Sequence, residues 1–140
     1  MKILAFVPCE DVRPELGGKV MLLGVTDAIA FDGSIVTAWP FPVRVAAHLR
    51  FQVDSSEPVP SAVTIRIAYG QAEIFTVTAP IVVTRTDLPA SVSLGMVIVP
   101  VTESGTITFT YSFEKHGEHS WEPFVFGVPV EIQNAAAKVT

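Results

Sequence analysis

Val43-Arg44-Val45-Ala46-Ala47-His48-Leu49-Arg50-Phe51-Gln52-Val53 sets the reading of the whole chain. Its odd positions are apolar throughout, while its even positions carry Arg44, His48, Arg50 and Gln52. Side chains on extended backbone point alternately to opposite faces, so this stretch reads as a strand with one dry face and one wet face. Residues 106–114 repeat the pattern, with Ile107, Phe109, Tyr111 and Phe113 set against Thr106, Thr108, Thr110 and Ser112. In residues 62–69, Val63, Ile65, Ile67 and Tyr69 oppose Thr64 and Arg66. No window carries an apolar stripe at the 3.6-residue helical period, so little helix is expected.

Outward from these segments the same logic predicts about eight strands: 2–7, 20–31 (bent or broken), 43–53, 62–69, 74–83, 92–101, 106–114 and 124–132. Val, Ile and Thr supply 43 of the 140 residues, and β-branched side chains favour a pleated surface over a helix. Eleven Pro and nine Gly punctuate the chain at turns such as Asp32-Gly33-Ser34 and Glu103-Ser104-Gly105. Short strands at even spacing read as an all-β antiparallel sandwich, immunoglobulin-like or a related Greek key. Pro80, Pro100, Pro123 and Pro129 sit in or beside strands, which marks free edges and favours a sandwich over a closed barrel. One domain over residues 1–132 is expected, followed by a flexible tail at 133–140.

Composition narrows the function classes. Nine Lys and Arg face fourteen Asp and Glu, for a net charge of −5; scattered cations on an acidic chain argue against nucleic acid as a partner. Mean hydropathy is positive, at +0.47, but every apolar run is far shorter than the roughly 20 residues a spanning helix needs, so no membrane is expected. The run Ile3 to Val7 is also too short for an export signal. A single Cys excludes an internal disulfide and fits a reducing, cytoplasmic setting.

The segment Glu10-Asp11-Val12-Arg13…Gly17-Gly18-Lys19…Leu22-Leu23-Gly24-Val25…Asp27, with Gly105-Thr106-Ile107-Thr108-Phe109 later on, resembles a family of short uncharacterised bacterial proteins, a domain of unknown function. The likeness lies mainly in residues 1–31, and residues 116–123 depart from it. The resemblance implies a small cytoplasmic β-sandwich and no activity, cofactor or functional residue.

Five groups of residues are candidates for chemistry. His116, Glu118 and His119 are potential metal ligands, though two His and a Glu in one hairpin read more simply as a solvated tip. Arg44, His48 and Arg50 share a strand face, with Arg66 on the next strand as a candidate fourth member, and suit an anionic ligand or partner; the simpler reading is a wet face that keeps the domain soluble. Cys9 lacks a visible base or cation and reads as structural. Glu10, Asp11 and Glu15 do not form a recognisable Ca²⁺ loop. Trp39-Pro40-Phe41-Pro42 reads as a rigid lead into a strand, or as the lining of a peptide or sugar site together with Trp121.

No catalytic motif and no cofactor are indicated, and an enzyme with His48 or His119 as general base is the least favoured reading. Residues 92–101 and 124–132 are apolar on both faces, and a two-layer sandwich buries only one face of each sheet. The remaining face calls for a cover, so the favoured function is a non-catalytic interaction or structural module that self-associates, as a homo-oligomer or with another protein. The alternative is a small-ligand or carbohydrate-binding sandwich that uses loop aromatics and histidines.

Overall fold

The structure, a computed structural model, describes residues 1–134. Ten strands are present: β1 (Lys2–Cys9), β2 (Asp11–Pro14), β3 (Val20–Leu23), β4 (Ile29–Asp32), β5 (Phe41–Gln52), β6 (Ala62–Tyr69), β7 (Ala72–Pro80), β8 (Ala90–Val101), β9 (Gly105–Phe113) and β10 (Phe124–Gln133). Helical geometry is confined, among the described residues, to single 3-10 turns at Leu16–Gly18 and Gly33–Ile35. No helix is long and apolar enough to cross a membrane.

The strands form a three-stranded sheet in the order β1-β5-β8, a five-stranded sheet in the order β4-β10-β9-β6-β7, and a β2–β3 hairpin. The two larger sheets pack face to face as a β-sandwich. Val45, Leu49 and Phe51 from β5 meet Ile65 from β6, Phe109 and Tyr111 from β9 and Val128 from β10 in one core. Phe6 on β1 locks the layers together. Its ring stacks on Phe126 at 4.3 Å and meets Phe109 edge-on at 5.3 Å, a geometry that adds to burial through the ring quadrupoles. The pairings are antiparallel except β4 with β10, which is parallel; an immunoglobulin-like Greek key is not established by them.

The alternating segments form the strands read from them, with β6 at the expected limits. Three departures have physical reasons. Residues 20–31 split into β3 and β4 around Gly24, whose φ of +65° breaks the extended backbone. β2 was not expected, because Asp11-Val12-Arg13-Pro14 has little strand propensity; it is held by pairing with β3. In β5 both faces are buried at the centre, since Val12 and Leu22 of the β2–β3 hairpin cover Ala46 and Cys9 on the outer side. Of the expected tail, Gln133 belongs to β10, and residues 135–140 lie outside the described residues.

Candidate functional site

A cleft of about 480 Å³ opens where the free edge of β4 meets the start of β5. Ile29 and Phe31 of β4, Phe41 of β5 and Ile98 of β8 form apolar walls, and Glu10 and Arg44 bring opposite charges to them. The size falls within the range of small-ligand sites, about 300–1,000 Å³.

Each wall has a local cause. Phe31 is fixed by the parallel register of β4 on β10, where it sits opposite Ile132. Its ring lies 4.4 Å from Phe41 and 6.4 Å from Trp39. Arg44 lies across from Ile98 in the β5–β8 register. Glu10 opens the β2–β3 hairpin, and its backbone N–H donates to Leu23 O at 2.9 Å. A Cβ added to Gly24 would stand 2.8 Å from Glu10 Cγ. The glycine thus lets the hairpin close against the side chain of Glu10, which lines the cleft. Arg13, Arg66 and Arg85 are each paired with a carboxylate. The Arg44 side chain makes no hydrogen bond or ion pair with the described residues, and neither does the Glu10 carboxylate.

The expected face of Arg44, His48 and Arg50 exists, on the outer side of the three-stranded sheet, but it is divided. His48 is only 7% exposed, and its Nδ1 shares a 2.7 Å hydrogen bond with Ser93 Oγ on β8. Burial, then the charge of Arg50, pushes its imidazole below the ordinary value. A neutral, hydrogen-bonded ring in this position is a structural group between two exposed arginines. Arg66 does not join them: it lies on β6 in the other sheet and pairs with Glu73 at 2.9 Å.

His116, Glu118, His119 and Trp121 lie at the opposite end of the sandwich from Trp39 and Phe41. β5 runs between the two ends for 12 residues, about 36 Å at the usual strand rise. His116 and His119 face each other across a tight turn through reciprocal backbone hydrogen bonds of 2.9 Å. The His119 ring meets Trp121 edge-on at 4.6 Å, and its Nε2 lies 3.4 Å from Glu57 Oε2.

Glu57, which nothing in the sequence pattern singled out, organises this end. It accepts a 2.9 Å hydrogen bond from the Trp121 indole N–H and pairs with the Met1 amino group. Burial alone would raise its carboxyl. Hydrogen bonds from that amino group, the Asp54 backbone N–H and Trp121 instead hold it down at about 2. No group of three or more His, Cys, Asp or Glu gathers in metal-holding positions among the described residues.

The remaining candidates separate. Cys9 is buried beneath the hairpin, and burial raises its thiol, which leaves it a poor nucleophile. Asp11 is engaged with Arg13 at 3.2 Å and with the Val12 N–H at 2.9 Å. Glu15 is exposed in the turn that follows.

The sheet edges differ in character. β1, β4 and β7 edge the two larger sheets and each carries a charge, Lys2, Asp32 and Glu73. β8, also an edge, is 12 residues long with no charged residue. On its outer side Met96 and Ile98 are 48% and 52% exposed. On β10, Val125 is likewise 61% exposed. No family model, no characterised protein and no solved structure matches the chain.

Proposed function

We propose that the protein is a non-catalytic interaction module that pairs with a second copy of itself along β8. The observation that carries this reading is the uncharged twelve-residue strand β8, which is hydrogen-bonded to no strand but β5 and has Met96 and Ile98 exposed on its outer side. A free edge presents unpaired backbone N–H and C=O groups, and edges are ordinarily blunted by charge. A two-fold axis perpendicular to β8 sets the strand antiparallel to its own copy, so each chain supplies what the other lacks. β8 keeps a bulge near Gly95 and has Pro100 close to its end, which limits pairing to a short, self-terminating contact rather than an open stack. A non-catalytic role accords with His48 and His119 both lying outside the cleft. A bacterial cytoplasmic setting accords with the resemblance in residues 1–31 and with the buried free thiol of Cys9.

Size-exclusion chromatography with light scattering tests the reading. A dimer is expected at high protein concentration, and Met96→Lys, which places a charge on the exposed side of the edge, is expected to run as a monomer with an unchanged circular dichroism spectrum. A wild-type monomer at every concentration overturns the proposal.

A further inference from the structure

We propose that the cleft between β4 and the start of β5 binds a small zwitterion with an apolar body, of the α-amino acid class with an aromatic or branched side chain. The inference rests on different observations from self-association along β8, although Ile98 borders both surfaces.

The cleft brings together three things. Its walls are apolar and partly aromatic, with Phe31 and Phe41 only 4.4 Å apart and Ile29 and Ile98 alongside. It has one cation, Arg44, and one anion, Glu10. These opposite charges line the same cleft and yet lie beyond the 4.0 Å of an ion pair, and neither has another partner among the described residues.

A ligand that reaches both charges fits this arrangement. Its carboxylate accepts from the planar guanidinium of Arg44, which suits a carboxylate in bidentate fashion. Its ammonium donates to the carboxylate of Glu10. Its side chain then covers Phe31 and Phe41, removing apolar surface from water on both partners. A simple anion would meet repulsion from Glu10 and a simple cation would meet Arg44, so the pair of charges selects against ligands that carry only one. The Gly24 conformation that admits the stem of Glu10 makes the anionic side of the cleft part of the hairpin fold.

Isothermal titration with L-phenylalanine, 3-phenylpropanoate and 2-phenylethylamine tests the proposal. These share a phenyl body and differ in charge. L-Phenylalanine is expected to bind at least about tenfold more tightly than either single-charge analogue, the loss for one charge-assisted hydrogen-bonding group. Arg44→Gln and Glu10→Gln are both exposed changes that keep most of the side-chain stem. Each is expected to weaken L-phenylalanine by about tenfold while thermal unfolding stays as in the wild type. Three results overturn it: no heat from L-phenylalanine at millimolar concentration, single-charge analogues that bind as well, or an affinity unmoved by both substitutions. Carrying the titration through with Met96→Lys keeps the outcome separate from any association along β8.

Discussion

Replacing Tyr111 by Phe is expected to stabilise the protein. Tyr111 lies on the core face of β9, fully buried, with its ring edge-on to Phe6 at 6.1 Å and to Phe126 at 6.0 Å. Its hydroxyl oxygen is buried with no hydrogen-bond partner among the described residues. Burial, with the nearby Cys9 thiol, raises the phenol above its ordinary value, so the group is neutral at any working pH. A buried hydroxyl stripped of water and given no partner costs about 1–3 kcal/mol. Deleting one oxygen leaves a gap no larger than a methyl group, worth up to about 1 kcal/mol in lost packing. The difference favours Tyr111→Phe by about 1 kcal/mol, with the aromatic contacts kept. In urea denaturation the midpoint is expected to rise with an unchanged slope, because the surface exposed on unfolding is the same. The melting temperature is expected to rise by about 3–5 °C for a chain of this size. A loss of about 1 kcal/mol or more would show that the hydroxyl is satisfied in the folded protein, and would refute the reasoning.

Other predictions follow from single residues. Gly24→Ala is expected to destabilise by about 2 kcal/mol or more, because it meets both a φ of +65° and a clash at Glu10. Gly70→Ala, at a φ of +60° with nothing within 4 Å, is expected to cost only about 1 kcal/mol; equal losses in urea denaturation would contradict the close approach of Glu10. The Glu57 carboxyl falls from 4.5 to about 2 on folding. Its contribution is therefore present above pH 4.5 and lost as pH drops toward 2. Its side chain is 10% exposed and sits at a wet loop, so about 1–2 kcal/mol is expected after screening, and Glu57→Gln should flatten the acid limb of stability against pH. The His48 ring is expected to titrate below 6.5 by NMR, so its contribution holds above pH 6.5 and fades below it as the unfolded chain takes up the proton first. A midpoint above 6.5 would mean that His48 is charged and paired.

The alternation in residues 43–53 and 106–114 made the sandwich legible, because a single period decides which side chains face inward. It also misled at the centre of β5. Ala46 and His48 stand on the wet face by pattern, yet both are buried, and Ala46 is buried because Val12 and Leu22 of the β2–β3 hairpin fold over it. No local signal in Asp11-Val12-Arg13-Pro14 announces that. The double-apolar reading of residues 124–132 was half of the picture: Val128, Val130 and Ile132 are core, while Val125 and Pro129 stay exposed. Arg44 and Phe41 were singled out from the sequence, but for different sites. What joins them to Glu10, Phe31 and Ile98 is the β5–β8 register and the parallel pairing of β4 with β10, contacts between residues far apart in the chain. The loop aromatics and histidines imagined as one site fall at two ends of the sandwich for the same reason: β5 carries the chain from one end to the other.

Amide hydrogen exchange in β8, followed by mass spectrometry as protein concentration is raised, tests the proposed pairing most directly. Peptides covering residues 90–101 are expected to gain protection with concentration, while those covering β6 and β9, already paired on both sides, stay constant. Exchange in β8 that is independent of concentration would contradict association along this edge.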